Sequence, residues 1–140
     1  MEKRYSFAEL TDIIATLRGE HGCPWDKAQT RESMKKCLTD ECQEVMDAVD
    51  HRDDENLCEE LGDVLLQVML YSRIAEEEGV FTIDDVITGL CEKLIRRHPH
   101  VFGDAKPAST PEESLALWQE IKRQEKMAKA ARKQQEFLDK

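Results

Sequence analysis

Apolar residues return along this chain at intervals of three and four, the period of an amphipathic helix, and no stretch alternates as a strand would. Ser6 can cap a first helix reaching about Glu20, with Leu10, Ile13, Ile14 and Leu17 on its inner side. Residues 21–30, HGCPWDKAQT, are punctuated by Gly22 and Pro24 and read as a loop. Thr30 can cap a second helix to about His51, with Met34, Leu38, Val45 and Val49 inward. RDDEN turns the chain into a third helix, about residues 54–78, with Leu57, Leu61, Val64, Val68 and Ala75 on one stripe and a stop near Gly79. A fourth opens after Thr82 and ends at RRHPH, where Pro99 disfavours a helical His98. Pro111, behind Thr110, starts a fifth. The pattern predicts an all-α fold, a four- to five-helix bundle.

A chain of 140 residues, 40% of them hydrophobic, can fold as one domain with a modest core, which pairing with a second copy would complete. We therefore expect a homodimer, or a tetramer at most. The domain is expected over residues 1–126, with 127–140 a basic helical extension open to solvent. Five cysteines form an odd set without a C-x-x-C pair, which suits a reduced, cytoplasmic chain with packing thiols. The opening MEKRYSFAELTDII has acids where an export signal would be apolar, and no apolar run nears the roughly 20 residues of a membrane span.

Charge changes the picture more than composition does. Residues 40–63 hold eleven acids against one base, Arg52, a deficit as large as the net charge of -10 of the whole chain. Such a field repels a nucleic-acid polymer and attracts multivalent cations. The tail from Lys122 to Lys140 has seven bases and three acids and could meet anions the acidic segment rejects.

The acids also have a geometry. At 100° per residue, Glu41 and Glu44 fall about 60° and 120° from their helix's apolar stripe, and Glu60 and Asp63 about 80° and 140° from theirs. All four therefore border the buried face. Folding the two helices into a hairpin at Arg52 brings Glu41 level with Asp63 and Glu44 level with Glu60, each pair lying equally far from the turn. Four crowded carboxylates raise one another's pKa unless cations neutralise them. Oxygen-only donors favour Mg²⁺, with Mn²⁺ as a substitute, over zinc. Each motif alone, E-x-x-E or E-x-x-D, is common on solvated helix faces; the mirror placement is what singles these out. No E-x-x-H accompanies them, so a ferritin-like di-iron site is not indicated.

Four segments together carry a resemblance: GCPWDKAQT, the E-x-x-E at 41–44, EELGDVLLQV with E-x-x-D at 60–63, and KLIRRHPHVFGD from Lys93 to Asp104. In this order, over about residues 7–126, the chain resembles the MazG family of nucleoside triphosphate pyrophosphohydrolases. The resemblance implies a MazG-like helical domain that dimerises, binds Mg²⁺ through Glu41, Glu44, Glu60 and Asp63, and splits a nucleoside triphosphate, ribo or deoxy, into the monophosphate and pyrophosphate. It also implies nucleotide contacts by Lys93, Arg97, Trp118 and Lys122. Asp40 departs from the glutamate usual beside the first motif.

Bottom-up chemistry is compatible with that reading. Glu41 or Glu44 could take the proton of the attacking water, as catalytic base as well as ligand. Lys93 and Arg97, four apart, project from one side of their helix and could hold phosphates; solvated basic residues offsetting a helix dipole are the plainer reading. Trp118 could stack on a base or bury itself with Leu115 and Ile121. Trp25, in the loop with Asp26 and Gln29, is a nucleoside contact or a core plug. His98 and His100, without a third nitrogen or sulfur ligand nearby, read as capping and packing. The alternative function is a catalytically weak acidic helical interaction module whose basic tail binds a partner.

Overall fold

In the structure, a computed structural model describing residues 2–140, side-chain caps start four of the helices. Seven helices and no strand occur among the described residues: α1 Phe7–Leu17, α2 Pro24–Ala28, α3 Lys35–Asp50, α4 Asp54–Glu77, α5 Ile83–Arg97, α6 Pro99–Phe102 and α7 Pro111–Leu138. The all-α expectation holds.

Ser6 accepts from the Glu9 backbone N–H while the Glu9 carboxylate accepts from the Ser6 N–H, a reciprocal cap that starts α1. Asp53 caps α4 through the Asn56 N–H, and Thr110 caps α7 through the Glu113 N–H, with Pro111 at the first helical position. Thr82 and Asp85 cap α5 in the same reciprocal way. Thr30 behaves differently from the expectation. Its hydroxyl accepts from the Ser33 N–H and closes a turn over residues 31–34, so α3 begins only at Lys35. The loop before it contains α2, opened by Pro24, and the expected first-helix end at Glu20 retreats to Leu17. At Gly22 a Cβ would sit 2.1 Å from the Leu17 carbonyl oxygen, which itself accepts from the Cys23 N–H. Only glycine lets the chain double back there.

The chain divides into two units, Met1–Val86 and Ile87–Lys140. In the first, α3 and α4 form an antiparallel hairpin and α1 lies against α4. The hairpin turns on Arg52, a non-glycine at φ 54, with the Arg52 and Asp53 N–H groups closing onto the Val49 and Ala48 carbonyls. Gly79, at φ 72, ends α4 by the same double closure onto Glu76 and Ala75.

The core of this unit gathers Ile14, Met34, Met69, Leu70, Ile74 and Ile83. Each such side chain contributes on the order of 1.5–3 kcal/mol by leaving water. The predicted α4 stripe is displaced. Ala75 is buried, but Leu61 and Val68 are exposed, and the buried face runs through Met69, Leu70 and Ile74. α4 is apolar on two sides, so periodicity cannot choose between them; α1 covers one and decides. Val49 of α3 is exposed as well, while Met34 is fully buried. Met46, Val49, Leu61, Leu65 and Val68 together leave much of the hairpin's apolar surface uncovered.

Arg18, only 8% exposed, fastens the loop: its guanidinium donates to the carbonyls of Asp26 and Gln29 and pairs with Glu77 at 2.8 Å. Arg31 pairs with Glu78, and the Tyr71 hydroxyl donates to the Arg31 carbonyl. Among the described residues the five cysteines are free; Cys42, Cys58 and Cys91 lie exposed rather than packed as expected. In the second unit, α7 stays helical to Leu138, and from Lys126 onward every residue is exposed. No described helix is long and apolar enough to cross a membrane.

Candidate active site

On the hairpin, Glu41 and Glu44 face Glu60 and Asp63, and one carboxylate oxygen from each lies within 4.8 Å of all the others. The turn at Arg52 sets this register, since both pairs are equidistant from it. Glu41, Glu60 and Asp63 are partly buried and Glu44 is exposed.

Crowding bears on the protonation of two of the four, Glu60 and Glu41. The Glu44 carboxyl, close enough to share a proton with Glu60, pushes Glu60 up to about 7, with partial burial and the charges of Asp63 and Glu41 adding to it. Burial first, then the charges of Glu44 and Asp63, raises Glu41 above the ordinary carboxylate range. Glu41 Oε2 and Glu60 Oε2 are buried without a hydrogen-bond partner among the described residues. Buried acceptors left unpaired cost roughly 1–3 kcal/mol each in general, so such a pair calls for a bound group.

A divalent metal would answer that demand. With Mg–O distances of about 2.1 Å, oxygens across one ion stand ~4.2 Å apart, and Ca²⁺ spreads them to ~5 Å. The 4.8 Å cluster fits a hard cation after a small closure. Its donors are oxygen only, the set that oxygen-loving cations take. The residues that could hold it are Glu41, Glu44, Glu60 and Asp63.

Trp25 lies on α2 and is 61% exposed, so it does not plug the core. Lys93, Arg97, Trp118 and Lys122 belong to the second unit. There Arg97 stacks its guanidinium over the Trp118 ring, 4.9 Å from the centroid. His98 meets the other part of this cluster, its ring edge-on to Trp118 at 5.2 Å and its Nδ1 2.6 Å from the Leu94 carbonyl oxygen. His98 thus caps and packs. Lys93 is half-buried and Lys122 exposed, while Leu115, which one of the two readings of Trp118 would bury with it, is exposed.

Sequence reasoning missed three residues. Glu125 bridges Arg96 and Arg97; it stands seven residues past Trp118, on the same side of α7, but nothing in the sequence pairs it with α5. Arg18 gives no sequence signal, because two of its partners are backbone carbonyls and the third, Glu77, lies 59 residues away. Gln67, 6% exposed with its Oε1 unpaired, stands seven residues after Glu60 in an otherwise apolar run, which was a signal.

An antiparallel helical hairpin with four convergent carboxylates defines a class: all-α proteins with an acidic cluster that could hold a metal ion. The particular family follows. Residues 29–102 match the model of the MazG nucleotide pyrophosphohydrolase domain, and the chain belongs to this family. It is 53% identical over 120 residues to the nucleoside triphosphate pyrophosphohydrolase/pyrophosphatase MazG of Thermotoga maritima, covering 86% of this chain and 45% of that one. It is 52% identical over 122 residues to the uncharacterized protein YabN of Bacillus subtilis, covering 87% of this chain and 25% of that one. The chain thus spans between a quarter and about half the length of these curated relatives. Among solved structures, a MazG-related protein from Thermotoga maritima superposes with a TM-score of 0.65 at 32% identity, over 81% of this chain and 96% of that one.

Proposed function

We propose that this chain hydrolyses nucleoside triphosphates, ribo or deoxy, to the monophosphate and pyrophosphate with Mg²⁺, Mn²⁺ serving as a substitute. One observation carries the reading: four carboxylates of a MazG-family hairpin converge within 4.8 Å, two of their buried oxygens unpaired. Names of relatives support the reaction class, the Thermotoga maritima protein being called a nucleoside triphosphate pyrophosphohydrolase/pyrophosphatase.

In this reading Glu41, Glu44, Glu60 and Asp63 hold the cation. When bound, it supplies Lewis-acid polarisation of phosphoryl oxygens and lowers the pKa of water. Glu41 or Glu44 accepts the proton of the attacking water; the raised proton affinity of Glu41 suits that role. The water oxygen bonds to the α-phosphorus, the bridging α–β P–O bond breaks, and pyrophosphate leaves. Lys93, Arg97 and Lys122 neutralise phosphate charge, Arg97 through its fork of donors. Trp118 and Trp25 present aromatic faces to the nucleoside.

The same reading takes residues 1–126 as a single MazG-like domain and 127–140 as a basic extension. It assigns the protein to the cytoplasm, where nucleotide pools lie, with no nucleic-acid polymer as partner. Two copies pair through the uncovered apolar hairpin surface around Leu61, Leu65 and Val68, a face that water would otherwise keep in contact.

A panel of NTPs and dNTPs with Mg²⁺ tests this by product identification. Monophosphate and pyrophosphate are expected, with kcat/KM falling at least about a hundredfold in Glu44→Gln and in Glu60→Gln. Turnover persisting in both variants would remove the site. Calorimetry separates the interaction-module alternative: an enzyme binds Mg²⁺ with a non-hydrolysable nucleotide more tightly than either alone, whereas a binding module binds neither.

A further inference from the structure

Arg97 is held from two sides. Its Nε and Nη2 donate to Glu125 Oε2 at 2.9 and 2.7 Å, and its Cζ lies over the Trp118 ring. The other oxygen, Glu125 Oε1, accepts from Arg96 Nε. The Arg97 side chain is 13% exposed and that of Glu125 23%, so this pair is shielded well beyond an ordinary surface bridge.

A guanidinium carries five N–H groups in two usable forks. Glu125 fills the side-on fork, Nε with Nη2. The end-on fork, Nη1 with the second Nη2 proton, makes no hydrogen bond among the described residues. Arg96 and Arg97 line a groove of about 540 Å³ together with Glu125, Lys126, Lys129 and Arg132. Five bases face it against one acid, so Glu125 orients the arginines without cancelling the attraction for an anion.

We infer that Glu125 is a positioning residue: it fixes the Arg97 guanidinium over Trp118 with the end-on fork free, so that a substrate phosphate meets a guanidinium already oriented. Pre-orientation lowers the ordering cost of binding and leaves the chemical step to other residues. The inference rests on the pyrophosphohydrolase reading and deepens it.

The test is steady-state kinetics with a nucleoside triphosphate at saturating divalent cation. Glu125→Ala should raise KM roughly three- to tenfold, with kcat within about twofold. Glu125→Gln, whose amide oxygen reaches the same donors, should recover part of that loss. In an Arg97→Ala background, Glu125→Ala should add nothing further, because its effect passes through the guanidinium. A KM that falls, one that does not move, or an effect fully additive with Arg97→Ala overturns the inference; a merely structural role gives additivity. Trp118 fluorescence in a Trp25→Phe background supplies a readout independent of turnover. Glu125→Ala should shift its emission as the guanidinium leaves the ring, and an unchanged spectrum overturns the inference even if the protein is inactive. Wild-type inactivity with a shifted spectrum would instead strike the proposed function.

Discussion

Two regions of this molecule handle clustered charge in opposite ways. On the α3–α4 hairpin four acids crowd together without a base among them, and the proton affinity of Glu41 and Glu60 rises. Between α5 and α7 one acid meets two arginines, which hold the Glu125 carboxyl below the usual carboxylate range, Arg97 most of all. In the second cluster the Glu125 carboxylate is paired on both oxygens within the chain, while Arg97 keeps its end-on fork free among the described residues. The first leaves crowded carboxylates whose demand protons or a cation would meet, whereas in the second an acid and two arginines orient one another.

Replacing Glu60 by Gln gives the largest expected break in the contrast. Activity should fall at least about a hundredfold and Mg²⁺ binding by calorimetry should weaken in parallel, because the remaining acids cannot close around the ion. If activity falls while metal affinity stays, Glu60 acts on substrate instead.

Titration sharpens the comparison next. Glu60 stands at about 7 in the fold against an ordinary 4.5 when unfolded. The stability it contributes is therefore complete below about 4.5 and lost as pH rises through about 7, and Glu41 acts with the same sign. Glu125, lowered in the fold, contributes above its ordinary value and loses that contribution as pH falls below it. Metal-free protein should thus melt at its highest temperature near pH 5 and lower at pH 8, and divalent cation should restore the melting temperature at pH 8. A metal-free melting temperature that rises from pH 5 to 8 would contradict the crowding of the acids.

Isosteric neutralisation gives a smaller effect with opposite signs. At pH 8 without metal, Glu60→Gln should raise the melting temperature and Glu125→Gln should lower it. Equal signs would show that the two clusters are not different in kind.

The turns supply the smallest effects. Gly79, at φ 72 with open space about its Cα, should cost about 1 kcal/mol on conversion to Ala, from backbone conformation alone. Arg52→Gly should stabilise by roughly 0.5–1 kcal/mol at φ 54, and the hairpin register and metal affinity should survive it.

Local chemistry wrote much of this protein into its sequence. Ser6, Asp53, Thr110 and Pro111 start helices because a cap needs only its own next turn, and Gly79 ends one for the same reason. Glu41, Glu44, Glu60 and Asp63 could be brought together on paper because a hairpin with one turn has one register. Tertiary contact settled what a periodic pattern leaves open. α4 offers two apolar sides, and α1 buries Met69, Leu70 and Ile74 while Leu61 and Val68 stay exposed, since hydrophobic burial has no direction until a partner arrives. Thr30 closes a turn instead of capping α3, and Arg18 clasps backbone carbonyls that no pattern of residue types could reveal. Glu125 found Arg97 across 28 residues, a pairing that depends on how α5 and α7 pack and on nothing either helix carries alone.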